Sequence, residues 1–224
     1  SISLPCYVSM FCGVTPVRHG TVSNVWSAPQ PPVSSLLDVA HAAGRSTASF
    51  YNWEELRDLS RPGSLDMAYF CALGDPEGDS DLEIGAAAAA YLANHAPTLA
   101  FVYLGALDEV GHRHGWMTAP YLQALEKADR ALGLVRQGLL AAGLLDGTAI
   151  FVLADHAGHD LDHGAGTSLD LTIPWIACGA GIRKGHQIVA PVSLIDTAPT
   201  LACLLGLPCP PEWEGRVVEE ALAF

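Results

Sequence analysis

What the sequence lacks narrows the field before any motif is read. Lys and Arg number 11 against 24 Asp and Glu, so the chain carries a formal charge of −13, and no basic cluster offsets it locally. A surface of that sign repels polyanionic duplexes, which disfavours nucleic acid as a partner. Half of the residues are hydrophobic, yet no run approaches the roughly 18 to 20 uninterrupted apolar residues of a membrane span, so no membrane partner is expected. Ser1-Ile2-Ser3-Leu4-Pro5 lacks the basic-then-apolar pattern of an export signal, and with the acidic balance this gives cytoplasm as the expected location. The six cysteines form no C-x-x-C pair, and several lie within apolar segments. Buried free thiols are therefore expected rather than disulfides. There is no internal repeat, and 224 residues need no second domain, so residues 1–224 are read as one domain.

What is present reads as strands alternating with helices. Leu99–Leu104, Ala149–Ala154 and Ile173–Cys178 are short, continuous apolar runs, the signature of central strands in a largely parallel sheet. Helices are expected over Val33–Ala43, Leu82–Asn94, Ala119–Ala142 and Ser193–Leu205. In the third of these, Tyr121, Leu125, Ala128, Leu132 and Val135 recur at helical spacing opposite Glu126, Lys127 and Arg130. The alanine run Gly85–Ala90 favours helix and needs no special function. Surface loops are expected at Gln30-Pro31-Pro32 and over Gly74–Asp81. The fold class is thus α/β, a mostly parallel sheet with helices on both faces.

Metal-capable residues follow the strands. Asp108 and His112 stand four apart after the first, so on a helical turn they face the same way and could grip one ion. Asp155-His156 emerges directly from the second, where a carboxylate and an imidazole must be hydrogen-bonded, metal-bound or catalytic. A Gly/Asp/His-rich loop, residues 157–167, precedes the third and offers His159, Asp160, Asp162 and His163, among which spacing does not choose. Nor does spacing give a reason to prefer His114. Ligands of open α/β sheets bind beyond the carboxyl ends of strands, so these sites could converge.

In order along the chain, the residues resemble the alkaline phosphatase superfamily, and within it the nucleotide pyrophosphatase/phosphodiesterase-like branch. Ser3 to Gly13, then Pro16, His19-Gly20 and Asn24, is similar to the nucleophile segment. Asp108-x-x-x-His112 with Gly115, Tyr121 and Asp129, then Asp155-His156, His163-Gly164 before Ile173-Pro174, and Asp196-x-x-Pro199-Thr200 continue the pattern. The resemblance implies an alkaline-phosphatase-like fold and a metal-dependent hydrolase of phosphate esters or phosphodiesters, acting on a small phosphorylated substrate. It implies two divalent ions of the zinc type, with Mn²⁺ accepted by the same ligands. Asp108, His112 and His163 would hold one ion, and Asp155 and His156 the other beside the Ser3 oxygen, the nucleophile, at the positive end of a following helix. The family brings a further metal-binding Asp from a strand upstream of the nucleophile; here that first strand is expected to be lacking, the chain being shortened at its N-terminus. Cys6 stands where an oxyanion-donating Asn is frequent, and Tyr7 where a sulfatase frame carries Arg. Sulfate or phosphonate ester hydrolysis by the same superfamily, and a non-catalytic metal-binding remnant, are the alternatives. His19 and Asn24 are expected to organise the loop after the nucleophile helix, Asp129 to be a helix-surface or support residue, Asp196 an amino-terminal helix feature, and Trp26, Tyr51 and Trp53 either to pack or to line a pocket.

Overall fold

A computed structural model of the protein describes residues 1–27 and 32–223. Gln30 and Pro31 of the expected loop lie outside them. The chain opens with helix α1 (Ser3–Cys12), α2 (Pro16–His19) and α3 (Leu36–Ala42), then strand β1 (Thr47–Tyr51) and strand β2 (Met67–Phe70). Helix α4 (Ser80–His95) leads to β3 (Leu99–Val102), α5 (Ala106–His114), the long α6 (Ala119–Ala141) and β4 (Ala149–Leu153). A single turn, α7 (Ser168–Leu171), precedes β5 (Trp175–Gly179), and α8 (Thr197–Leu204) follows.

β1 is the middle of a parallel sheet of order β2-β1-β3. Its side chains alternate between two cores, as the two-residue period of a strand requires. Tyr51, with Leu99 and Phe101 of β3, faces a core built from α1, α3 and α8; Ala48 and Phe50, with Ala100 and Val102, face α4 and α6. Helices thus cover both faces of this sheet. β4 and β5 form a separate pair and run antiparallel, with Val152 opposite Ile176. The sequence expectation placed β5 in a parallel sheet. Parallel neighbours need a crossover, commonly a helix, but only the one-turn α7 lies between β4 and β5, and the rest of the connection is the histidine-bearing loop.

Helix boundaries differ from expectation where caps decide them. α3 starts at Leu36 rather than Val33 because Ser35 and Asp38 close a capping box. The expected single helix over Ser193–Leu205 is a 3₁₀ turn, Leu194–Asp196, followed by α8, with a second box between Ser193 and Asp196. Asp196 stands at the N-cap of α8, the amino-terminal helix position expected of it, and also accepts the Arg216 N–H at 2.9 Å. α6 buries Ala124, Ala131, Val135 and Leu139, and leaves Leu125 47% exposed, so its inner stripe is rotated from the expected one. The reason is close approach to α4. A Cβ on Gly85 would sit 3.0 Å from the Ala131 Cβ, and one on Gly138 3.0 Å from that of Ala89. The alanine run therefore has a packing role as well as helix propensity. All six cysteines are free, but only Cys12 is buried and Cys178 and Cys209 are exposed, which corrects the expectation of buried thiols. No helix among the described residues is long and apolar enough to cross a membrane.

Candidate metal centre and nucleophile

β3 ends into a tight turn that launches α5. The α5 N-terminus is capped from outside: Asn52 Oδ1 accepts the Gly105 N–H at 3.1 Å, and Asp81 Oδ1 accepts the Ala106 N–H at 3.4 Å and the Asn52 side-chain N–H at 2.7 Å. Both capping residues are buried, and a side chain on Gly105 would meet Tyr103 and Asn52. This fixes where the first turn of α5 points, and with it Asp108; one turn later comes His112.

Asp108, His112 and His163 offer ligand atoms that all lie within 4.8 Å of one another, and they are the one such group of three among the described residues. His112 Nε2 is 3.6 Å and His163 Nε2 3.9 Å from the Asp108 carboxylate. Each ring faces a backbone carbonyl with its other nitrogen: His112 Nδ1 lies 3.0 Å from Leu161 O and His163 Nδ1 2.7 Å from Ser1 O. A carbonyl only accepts, so Nδ1 carries a proton and Nε2 is the ring atom turned towards Asp108. Two imidazoles oriented by carbonyls against one carboxylate are a donor set that fits a divalent cation of the zinc or manganese kind.

The second cluster sits behind the first. The His156 ring stacks on that of His163 with centroids 3.7 Å apart. His156 Nδ1 donates to Ala157 O at 3.0 Å, which leaves Nε2 facing Ser3 Oγ at 3.0 Å and Asp155 Oδ2 at 3.2 Å. Tyr7 donates its hydroxyl to Asp155 Oδ1 at 3.3 Å. Burial, and next the Asp108 charge, push the Asp155 carboxyl up to about 7. Burial, and next His163, push the His156 imidazole down. A carboxylate and an imidazole lone pair face each other here, an arrangement that a shared proton or a cation relieves. With Ser3 Oγ alongside, this donor set also fits a metal ion.

Ser3 is the first residue of α1. The Leu4 N–H donates to Asn24 Oδ1 at 3.0 Å, Pro5 has no N–H, and the Cys6 N–H donates to Ile2 O at 3.1 Å. The amides of Leu4, Pro5 and Cys6 are thus occupied or missing, and the helix brings its dipole to Ser3. Cys6, whose thiol is raised by burial and then by Asp155, faces the same corner.

Other expected residues fall outside the two clusters. His19 accepts the Thr21 N–H on Nδ1 and bonds Ser9 Oγ at 3.0 Å; it is 1% exposed, and burial pushes it down to about 4, so it is a neutral internal brace. His114 pairs with Glu77 at 3.0 Å. Asp129 is exposed on α6. Trp26, Tyr51 and Trp53 pack into or against the core. Of the four candidates in the 157–167 loop, only His163 joins Asp108 and His112. Asp162 holds the His163 N–H at 2.8 Å, and His159 Nδ1 lies 2.7 Å from Asp170 Oδ1.

Two residues escaped the sequence reading. Trp116 stands edge-on to His112, ring centroids 5.1 Å apart, and its backbone N–H donates to Asp160 O. Gly111 and Gly158 make room for it: a Cβ on Gly111 would come within 2.8 Å of the indole, and one on Gly158 would collide with it. The indole thus locks the histidine loop onto α5, and the glycines on its two sides were the available signal. The other is Asp170, 0% exposed.

The sequence matches the family model "Type I phosphodiesterase / nucleotide pyrophosphatase" over residues 1–170. The chain belongs to that family. It is a member of the alkaline phosphatase superfamily, and its α/β fold is that of solved members. A 2-O GAG sulfatase superposes with a TM-score of 0.77 at 16% identity, covering 97% of this chain and 63% of that one. The phosphonate monoester hydrolase of Agrobacterium radiobacter does so with a TM-score of 0.76 at 15% identity, covering 99% and 68%. Among curated proteins, arylsulfatase K of Danio rerio is 28% identical over 93 residues, 39% of this chain and 18% of the relative. The 2,3-bisphosphoglycerate-independent phosphoglycerate mutase of Synechococcus sp. is 34% identical over 124 residues, 49% of this chain and 22% of the relative. The chain therefore spans about a fifth of the length of these curated relatives.

Proposed function

We propose that this protein is a metal-dependent hydrolase of phosphate esters or phosphodiesters, with Ser3 as its nucleophile and a small phosphorylated molecule as its substrate. The observation that carries the reading is the 3.0 Å contact between Ser3 Oγ and His156 Nε2, made across 153 residues and stacked against the Asp108, His112 and His163 cluster. Asp108, His112 and His163 would hold one divalent ion and Asp155 and His156 a second, of the Zn²⁺ or Mn²⁺ type. When bound, such ions neutralise phosphoryl charge and lower the pKa of a nearby oxygen nucleophile.

The chain's own residues supply the rest. With Nδ1 proton-bearing, His156 turns Nε2 to the Ser3 hydroxyl and would share the second ion with its oxygen, so the Ser3 proton leaves to water rather than to the imidazole. That oxygen forms a bond to phosphorus as the bond to the leaving alcohol breaks, and water then releases the phosphoryl group from Ser3. Tyr7 and the surrounding apolar packing keep Asp155 from bulk water. The acidic composition favours a cytoplasmic setting and small-molecule rather than nucleic-acid substrates.

Sulfate ester hydrolysis is the second reading, motivated by the sulfatases among the fold neighbours. Tyr7 speaks against it: its buried hydroxyl bonds Asp155 in the place where the sulfatase frame carries a cation. The test is metal content together with turnover of bis-p-nitrophenyl phosphate, p-nitrophenyl phosphate and p-nitrophenyl sulfate, by wild type and Ser3→Ala. The reading expects phosphate ester turnover that falls by on the order of a thousandfold or more in Ser3→Ala with metal retained. Sulfate turnover alone moves the function to the second reading, and a metal-loaded protein inert on all three leaves only metal binding.

A further inference from the structure

A cavity of about 580 Å³ opens beside Ser3's partners, and its lining divides by chemistry. Asp155 and His156 of the candidate second metal site border it, with Cys6 beside Asp155. Asp170 borders it too, yet its carboxylate is sealed; the residue is wholly buried and takes the His159 N–H at 2.7 Å. The rest of the lining is chiefly apolar and comes from two extended segments. In the first, Ile188, Ala190, Val192 and Leu194 line the cavity and are half-buried, while Val189 and Pro191 between them are exposed. In the second, Ile173 and Trp175 line it with exposed Pro174 between them, the same two-residue step. Both segments are pinned. Glu220 accepts the Val189 and Ala190 N–H groups at 2.9 and 3.0 Å, and Asp196 accepts the Ser193 N–H at 2.9 Å. The Trp175 ring stands edge-on to Phe151, and its N–H is directed to buried Thr197 Oγ1 at 3.2 Å. A methyl group placed against these side chains gains burial, whereas a hydroxyl in the same place gives up its water partners without replacement.

We propose that this cavity receives the organic group of the substrate ester and selects a neutral apolar one, the alkyl or aryl part of an apolar alcohol, over polyols and other donor-rich groups. The inference rests on the hydrolase reading and sharpens its substrate class. The occupant follows from continuity: the cavity runs on from Asp155 and His156, so an ester whose phosphoryl group lies at Ser3 has its organic group within reach of the apolar wall. The wall residues touch no reacting atom; they act on which ester binds.

The test is calorimetric titration of the Zn²⁺- or Mn²⁺-loaded protein with O-alkyl methylphosphonates, unreactive esters carrying one organic group, in which the alkyl is methyl, butyl or 3-hydroxypropyl. The last two share a shape and differ only in a terminal methyl or hydroxyl. The butyl ester is expected to bind about tenfold or more tightly than the methyl ester, and about fivefold or more tightly than the 3-hydroxypropyl ester. Val192→Thr, which keeps the side-chain shape and adds a hydroxyl to the wall, is expected to narrow the butyl-to-hydroxypropyl ratio to within about twofold of one. Ala190→Phe, which fills the cavity, is expected to remove the butyl advantage over methyl, and it tests the wall even if Val192→Thr does not fold. Turnover of bis-p-nitrophenyl phosphate is measured alongside. Turnover with equal affinities for the three esters, or with 3-hydroxypropyl ahead of butyl, overturns the proposal and leaves the hydrolase reading intact. No turnover with the butyl preference present removes the hydrolase reading and keeps the selectivity of the cavity, and failure to bind any of the three esters overturns the proposal outright.

Discussion

The two halves of the centre are built to opposite designs. The Asp108, His112 and His163 half is held by backbone: each imidazole is fixed by a main-chain carbonyl, the carboxylate is carried one helical turn from His112, and all three side chains reach solvent. The Ser3, Asp155 and His156 half is held by burial. Its carboxylate is pushed up to about 7 and its imidazole down, and both face a hydroxyl. The first half is a ligand set arranged in advance. The second is under electrostatic tension until a proton or cation enters, and the Ser3 oxygen lies against it, 3.0 Å from His156.

Removing one ligand from the arranged half gives the largest expected effect. Loss of an outer-shell partner costs about 10- to 100-fold in metal affinity, and loss of a ligand costs more. His163→Ala is therefore expected to weaken ion binding by more than about a hundredfold and to bring turnover to background, while the metal-free protein loses no more than about 1–2 kcal/mol of stability. Calorimetric titration with Zn²⁺ and a denaturant melt check both halves of the claim. Unchanged ion affinity would show that the group of three is not a binding site.

The tense half responds in the other direction. Asp155 has a folded pKa of about 7, above the unfolded value of about 3.9, so between these pH values the folded state holds the proton more tightly. The metal-free protein thus loses stability from this group as pH rises from about 4 to 7, by on the order of 4 kcal/mol in full. His19, lowered to about 4, acts oppositely, costing stability as pH falls from about 6.5 to 4. The difference between wild type and Asp155→Asn isolates the first effect. In metal-free buffer the variant is expected to be the more stable protein at pH 7.5, the gain disappearing towards pH 4, while turnover is lost. A pH-independent difference in melting temperature would refute the buried-charge account.

These two halves were also unequally legible. Asp108 and His112 stand one helical turn apart, and Asp155-His156 follows an uninterrupted apolar strand, so local pattern sufficed. The choice of His163 over His159, Asp160 and Asp162 was not local. It depends on a carbonyl of Ser1 162 residues away, a contact that only the fold creates. The same division holds for the scaffold. β3, β4 and α6 announce themselves by composition. β1, Thr-Ala-Ser-Phe-Tyr, is wholly buried yet carries two polar residues; Thr47 is satisfied by Ser64 O and the Asp66 carboxylate, so no apolar run marks it. The antiparallel β5 was misplaced because an apolar run reports burial and says nothing of direction.

The lock between the halves offers an intermediate effect. Gly158 belongs to the loop that carries His163, and any side chain there meets Trp116, which packs against His112. Gly158→Ala is expected to cost about 1–3 kcal/mol through overpacking and to weaken ion binding with it. Trp116→Leu in the same chain should return part of both, as a smaller side chain vacates the space. Stability and affinity falling separately, with no recovery in the double variant, would mean that Trp116 packs without positioning the ligands.

The smallest expected effect lies at Ser3. Asn24 closes the first turn of α1 by accepting the Leu4 N–H, beside a proline that offers none. Asn24→Ala is expected to cost about 1 kcal/mol, the usual value of a lost helix cap. Its informative consequence is kinetic. An uncapped first turn lets Ser3 sample positions other than the one 3.0 Å from His156, while the ligand cluster around Asp108 is untouched. Zn²⁺ affinity should therefore hold and kcat should fall, with KM little changed. Asn24→Asp, which keeps the acceptor, should recover most of the kcat. A loss of Zn²⁺ affinity in Asn24→Ala would instead show that the two halves are one coupled unit, with the α1 N-terminus setting the geometry of both.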